Sequence, residues 1–154
     1  MKWTMRLLDD KAKEMRRLGF SRKLIFEYLI SCYEGAFYTW GGHEPERSDC
    51  SGTLRGTLSV MTGMRLEETA DSFYKKYFTK SVDYEGKISA IFFIDSTGRA
   101  VHVAAYAGSS LFINCSRVEP GQTASFRTEV ELRKMYPDFR LEARSLDEDT
   151  LSWR

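Results

Sequence analysis

Cysteine and proline are scarce in this sequence, with 3 of each among 154 residues. The cysteines are Cys32, Cys50 and Cys115. Three cysteines are too few for a disulfide framework, and because their number is odd, at least one thiol is free. The low proline and glycine content, with 42 % hydrophobic and 14 % aromatic residues, excludes a disordered or fibrous chain. A chain of this length buries roughly 70 % of the surface that it exposes when unfolded, so it folds without a metal or disulfide.

The sequence also lacks an excess of charge of one sign and any long apolar run. Its 23 basic and 22 acidic residues give a net charge of +1, which excludes a general nucleic-acid binder. Charged residues interrupt the first 20 positions, so we expect no secretory signal peptide. No stretch approaches the roughly 20 apolar residues that span a bilayer, so we expect no membrane insertion. We expect the protein to be made in the cytoplasm. If it acts outside, it leaves by lysis, by non-classical export or as part of a particle.

No repeat, low-complexity tract or linker divides the chain, so we expect one monomeric domain over residues 1–154. Apolar periodicity, with Ser21 as a helix N-cap, predicts two helices in a helical extension over residues 1–35, ahead of a core over 36–154. The further predicted elements are helices over 50–63, 67–78 and 129–136, and strands over 88–94, 101–107, 110–116 and 139–143. Helices followed by an antiparallel meander are typical of the α+β class.

Cys50 is the cysteine that this pattern places at a helix N-terminus. The unpaired backbone N–H groups and the helix dipole at such a position stabilise a thiolate, which is the nucleophile in thiol catalysis. Cys32 lies in the apolar stripe of the second helix, and Cys115 lies on a strand, so both are interpreted as packing residues. Cys50 is therefore the candidate nucleophile.

A thiol nucleophile needs a base, and the sequence has only two histidines, His43 and His102. His43 lies in an irregular loop, whereas His102 lies on a strand that holds its side chain in one geometry, so His102 is favoured. The next strand offers Asn114 as an isolated polar residue, and its side-chain oxygen could fix the histidine tautomer. No cofactor or metal is expected.

Two separated motifs carry a resemblance to a known family. Tyr38-Thr39-Trp40-Gly41-Gly42, six further residues and Asp49-Cys50-Ser51-Gly52 resemble the Y-x-W-G-G…D-C-S-G signature of the NlpC-type peptidoglycan endopeptidases, which are papain-like cysteine peptidases. Downstream, residues 102–108 are similar to that family's H-V-G-I-Y-x-G strand, and the third polar residue falls at Asn114. The resemblance implies a papain-like fold with the nucleophile at a helix N-terminus.

By motif position, the resemblance assigns Cys50 as nucleophile, His102 as general base and then acid, and Asn114 as the residue that orients the histidine. It places the Tyr38 hydroxyl near the developing oxyanion. It also implies that Asp49 and Ser51 bind the amino end of the substrate. For Trp40 alone two interpretations stay open, a buried aromatic side chain, which the residue type favours, and a wall of the substrate groove.

The function implied is hydrolysis of an amide in bacterial peptidoglycan stem peptides, at the bond between D-γ-glutamyl and a diamino acid, through a thioester acyl-enzyme. One alternative is a papain-like acyltransferase or lipid-acting thiol hydrolase. Another is a non-catalytic cell-wall-binding module. A single catalytic domain without a signal peptide leads us to expect a bacteriophage or prophage lysis or tail enzyme, or an effector that secretion machinery exports.

Overall fold

The computed structural model describes residues 2–154 and contains five α-helices in that range. They are α1 (Met5–Arg17), α2 (Arg22–Ser31), α3 (Gly52–Thr62), α4 (Ala70–Ser72) and α5 (Glu129–Met135). Helix α4 continues as one π-helical turn over Phe73–Tyr77, and short 3₁₀ turns cover Pro120–Gln122 and Glu148–Thr150. None of the helices over residues 2–154 has the length and apolar character needed to cross a bilayer.

Eight strands form two sheets. They are β1 (Phe37–Tyr38), β2 (Arg47–Ser48), β3 (Lys80–Ser81), β4 (Ser89–Ile94), β5 (Ala100–Gly108), β6 (Leu111–Asn114), β7 (Ser125–Arg127) and β8 (Arg140–Ser145). The main sheet is antiparallel and has the order β3-β8-β4-β5-β6-β7, whereas β1 and β2 form a small parallel pair. Strand β5 therefore lies inside the main sheet, and β7 lies at its edge.

Both faces of the main sheet are covered, which explains why all six residues of β4 are buried. One face packs against the N-terminal helices, and side chains of α1, α2 and α3 share one buried cluster with β5 residue Val103. The other face packs against α5 through a second cluster that includes Phe93 and Leu132. The predicted α+β fold, with N-terminal helices packed on a central antiparallel sheet, is confirmed.

The helix boundaries follow capping groups that can be recognised in the sequence. The Thr4 and Ser21 hydroxyls accept hydrogen bonds from the first turns of α1 and α2. Thr128 and Glu131 form the reciprocal capping box predicted for α5. The helix predicted over 67–78 begins only at Ala70, where Thr69 supplies the cap, so its boundary was wrong by three residues.

Candidate active site

A cleft of about 1180 Å³ brings together the site residues that the sequence singled out, except Asn114, which is buried behind His102. One side comes from the start of α3 with Cys50 and Ser51, and another from β5 with His102. Tyr38, the last residue of β1, and Trp40, from the turn that follows it, complete the group. These positions are distant in sequence, so the sheet and α3 together create the cleft.

Cys50 lies in the turn immediately before α3, whose N-cap is Ser51. The turn is tight because the backbone N–H of Gly52 donates to Asp49 Oδ1 at 2.7 Å. A Cβ atom at Gly52 would overlap the carbonyl oxygen of Gly42, so this position accepts only glycine. The thiol is thereby presented at a helix N-terminus, as the sequence predicts.

Burial is the largest influence on the Cys50 thiol and raises its pKa to about 11. Hydrogen bonds from the backbone N–H groups of Val103 and Ser51 oppose this effect and lower the pKa. The backbone N–H groups of β5 and of the start of α3 therefore offset only part of the cost of burying a thiolate. Cys50 needs a neighbouring base to lose its proton, and the bond to Val103 places its sulfur beside the backbone of His102.

His102 is held in one orientation by the residues around its ring. Its Nε2 lies 2.6 Å from Asn114 Oδ1. The ring stacks on Tyr136 at a centroid distance of 5.0 Å and meets the edge of Phe93 at 4.7 Å. Burial lowers the pKa of His102 to about 4, so the imidazole is neutral near pH 7.

The amide of Asn114 fixes which nitrogen of His102 carries the proton. Its Nδ2 donates to Glu119 Oε2 at 2.8 Å and to the Tyr136 hydroxyl at 3.0 Å. A carboxylate only accepts hydrogen bonds, so the amide nitrogen faces Glu119 and Oδ1 faces His102. Nε2 of His102 is then the donor, and Nδ1 keeps a lone pair that can accept a proton.

Glu119 is itself a buried carboxylate that Arg127 holds from strand β7. The Arg127 guanidinium donates to Oε1 at 2.6 Å and to Oε2 at 3.0 Å, a bidentate pair. The structure thus extends the predicted site beyond Asn114 to Glu119, Arg127 and Tyr136. The sequence carries no signal for these three, because they come from a loop, a three-residue strand and a helix end.

Tyr38 lies beside the candidate nucleophile. Burial raises the pKa of its hydroxyl, and the neighbouring Cys50 and Asp49 raise it further, so it remains a protonated donor at neutral pH. The Arg117 guanidinium lies over the Tyr38 ring, 5.1 Å from the centroid. The position of Tyr38 is compatible with the predicted contact to an oxyanion.

Trp40 lines the cleft with 81 % of its surface exposed, so the interpretation as a buried aromatic side chain is wrong. It lies next to Gly41, which has a positive φ of 79°, in a turn at the cleft edge that no other layer covers. The alternative, a wall of the groove, agrees with this position.

Asp49 and Ser51 are buried and already have partners inside the protein. Asp49 Oδ2 accepts from the Gly41 N–H at 2.8 Å, and Arg55 donates to Asp49 Oδ1 at 3.0 Å and to Ser51 Oγ at 2.6 Å. Their expected contact with the amino end of a substrate stays a prediction. Arg55 was missed because the apolar pattern of α3 gives no sign of its buried partners.

The remaining cysteines and the second histidine take no part in this hydrogen-bonded chain. Cys32 and Cys115 are buried, and their thiols donate to the carbonyl oxygens of Tyr28 and Ser48, so the packing interpretation is confirmed. His43 also lines the cleft, but His102 is the histidine bonded to Asn114. Within residues 2–154, no three His, Cys, Asp or Glu side chains are grouped as metal ligands.

Comparison with known proteins agrees with this architecture. The NlpC/P60 family model matches residues 35–136. The solved NlpC/P60 domain of the peptidoglycan hydrolase SagA is 25 % identical, with a TM-score of 0.59 over 81 % of this chain and 99 % of its own. No curated protein sequence matches.

Two larger proteins share the fold. NlpC1 from Trichomonas vaginalis is 19 % identical, with a TM-score of 0.62 over 82 % of this chain and 44 % of its own. An NlpC/P60 family protein from Bacillus cereus is 20 % identical, with a TM-score of 0.55 over 88 % of this chain and 39 % of its own. The chain thus spans less than half the length of either protein. Because the family model covers more than half of the sequence, the chain belongs to the NlpC/P60 family.

Proposed function

We propose that this protein is a cysteine peptidase that hydrolyses an amide bond in peptidoglycan stem peptides, between D-γ-glutamyl and a diamino acid. The observation that carries the proposal is that Cys50 and His102 line one cleft, with the buried Asn114 held 2.6 Å from His102 behind it. Membership in the NlpC/P60 family and the likeness to the SagA peptidoglycan hydrolase domain support the substrate class.

In the acylation step, His102 Nδ1 takes the proton of the Cys50 thiol while the sulfur attacks the scissile carbonyl carbon. The carbonyl oxygen becomes an oxyanion, and the Tyr38 hydroxyl is placed to donate to it. The imidazolium formed on His102 keeps its Nε2–H bond to Asn114. It then gives the new proton to the leaving amine as the carbon–nitrogen bond breaks, which leaves a thioester on Cys50.

Deacylation uses the same groups in the opposite direction. His102 accepts a proton from water, the hydroxide attacks the thioester carbonyl, and the carbon–sulfur bond breaks. The thiolate of Cys50 recovers a proton from His102, and the product leaves with a carboxyl group. The net reaction consumes one water for each amide bond broken and changes no oxidation state.

The test is digestion of purified sacculi, with mass spectrometry of the soluble muropeptides. The wild-type protein should release fragments that end in γ-D-glutamyl, whereas Cys50→Ala should release none. Cys32→Ala is the matched control, because that cysteine is buried near the end of α2, and it should retain activity. Release by Cys50→Ala equal to wild type would refute the mechanism.

A further inference from the structure

The charges that line the cleft indicate which groups of a substrate it can recognise. The charged Asp, Glu and Arg residues along its walls are Asp49, Glu67, Arg55, Arg65, Arg99 and Arg117. Four of them form two ion pairs inside the protein, Asp49 with Arg55 and Glu67 with Arg65. Arg99 and Arg117 form no ion pair within residues 2–154, so the uncompensated charge of the cleft is positive.

Asp49 is poorly placed to bind a substrate amine. Its two carboxylate oxygens already accept hydrogen bonds from two backbone N–H groups, the Ser51 hydroxyl and Arg55. Arg55 also donates to the carbonyl oxygens of Gly42 and Glu68, so its own position is fixed. An ammonium group at Asp49 would have to displace a buried guanidinium that has the same charge.

Arg117 lies close to the candidate nucleophile. It follows β6, and its guanidinium lies over the ring of Tyr38, which itself lies beside Cys50. Arg99 immediately precedes β5, and because β5 and β6 are antiparallel, both arginines lie at the same end of these strands as His102. Two acids lie near Arg99 without an ion pair to its guanidinium: Asp71, which Lys75 contacts at 3.0 Å, and Asp95, which accepts from the Arg99 backbone N–H at 3.1 Å.

A γ-linked glutamyl residue carries the complementary charge. Its α-carboxylate is free and is separated from the reacting carbonyl by only three carbon atoms. An arginine fork is suited to such a carboxylate, because it forms two parallel charge-assisted hydrogen bonds. Amidation of the α-carboxylate, which gives an isoglutaminyl residue, removes the charge and leaves the peptide backbone unchanged.

We propose that the cleft recognises stem peptides through the free α-carboxylate of the γ-glutamyl residue, with Arg117 as its partner, and not through a free amino terminus at Asp49. This inference rests on the proposed function and specifies its substrate. Arg99 adds attraction at longer range, whereas the ion pair with Glu67 neutralises Arg65.

The test measures by calorimetry how tightly three synthetic peptides bind to the Cys50→Ala variant. This variant is used so that no peptide is hydrolysed during the measurement. They are L-alanyl-γ-D-glutamyl-diaminopimelate, its α-amidated isoglutaminyl form and its N-acetylated form. Amidation should weaken binding at least tenfold, whereas N-acetylation should change it less than twofold. In Cys50→Ala/Arg117→Gln, the free and amidated peptides should bind equally. The double variant Cys50→Ala/Arg117→Lys should keep part of the preference for the free peptide over the amidated one. The double variant Cys50→Ala/Arg65→Gln should keep all of that preference.

Equal binding of the free and amidated peptides, or a tenfold loss on N-acetylation, would overturn this inference. The wild-type digestion separates the two proposals. Hydrolysis of the free and amidated peptides at equal rates would contradict only the recognition role of Arg117. Tighter binding of the free peptide without any Cys50-dependent hydrolysis would contradict the peptidase proposal. It would still support a carboxylate-binding site at Arg117. Thermal unfolding of each variant shows whether it folds like Cys50→Ala.

Discussion

The side-chain amide of Asn114 donates to Glu119 at 2.8 Å, and this bond decides which end of the amide faces His102. Glu119 lies in a loop and is 2 % exposed, with Arg127 as its counter-ion. Asn114 alone could present either its oxygen or its nitrogen to the imidazole. The buried carboxylate removes that choice, so it acts as a positioning group for the candidate catalytic histidine.

Glu119→Gln should lower kcat about 10- to 100-fold and leave KM nearly unchanged. This decrease in kcat corresponds to the loss of one hydrogen bond to a charged group. A glutamine can donate as well as accept, so Asn114 can turn its nitrogen toward His102 and disfavour the productive tautomer. Steady-state hydrolysis of a stem tripeptide measures both constants. Glu131→Gln is the control, because Glu131 also contacts Arg127 but is exposed, and its kcat should stay within twofold of wild type. An equal loss in both variants would show that Arg127, and not the amide orientation, matters.

The pH dependence of hydrolysis should reflect the lowered pKa of His102, whose side chain is partly buried at the cleft wall. Burial lowers its pKa from an ordinary 6.5 to about 4, so the imidazole stays available as a base on acidification until the pH approaches 4. The acidic limb of kcat/KM should therefore lie well below pH 6, and activity at pH 5.5 should remain close to its neutral value. A limb centred near 6.5 would contradict the lowered pKa of His102.

The lowered pKa of His102 also makes the folded protein less stable as the pH decreases from 6.5 to 4. Below pH 6.5 the unfolded chain binds a proton at His102, whereas the folded protein does so only near pH 4. The contribution of His102 to the free energy of unfolding is thus complete above pH 6.5 and falls as the pH decreases to 4. Comparison of wild type with His102→Gln by urea unfolding at pH 7 and pH 5 isolates this contribution.

Arg55→Leu should destabilise the protein by about 3 kcal/mol, because it leaves the Asp49 carboxylate buried without its counter-ion. Arg65→Leu is the matched control, since its ion pair with Glu67 is exposed and contributes at most about 0.5 kcal/mol. Chemical denaturation with circular dichroism measures both values. A similar small change in the two variants would mean that the backbone N–H groups alone stabilise the Asp49 carboxylate.

Trp40→Ala should leave the melting temperature unchanged, because 81 % of the side chain is exposed. Release of fragments from sacculi should decrease several-fold, since the indole forms part of the cleft wall. Leu24→Ala, at an exposed apolar position on α2, provides the control and should affect neither property. A lower melting temperature in Trp40→Ala would assign this side chain a structural role.

The sequence was sufficient for the parts of the fold that depend on local signals. Periodic apolar residues and caps such as Ser21 predict the long helices, and β-branched runs predict β4, β5 and β6. The thiol, the histidine and Asn114 could be selected because few residues of those types occur at suitable places. Their meeting in one cleft follows from the antiparallel register of β5 with β6 and from the position of α3.

Other parts of the site depend on tertiary contacts that have no sequence period. Glu119 could be read as an ordinary loop acid until Arg127 and Asn114 are seen beside it. Arg55 occupies a helix position where a solvated charge would be equally plausible. Strands of two or three residues, such as β1 and β7, are too short for any alternation to be recognised.

The link from Glu119 to Arg127 ties the orientation of His102 to β7, the outermost strand on one side of the sheet. An outer strand has one hydrogen-bonded neighbour, so it can detach in a local opening that costs less free energy than global unfolding. Such an opening would free Glu119, release the amide of Asn114 and disorder the base, while the helices and the central strands stay intact. Mild heating or denaturant should thus abolish hydrolysis before circular dichroism changes, and amide hydrogens of residues 125–127 should lose their protection from exchange under the same conditions.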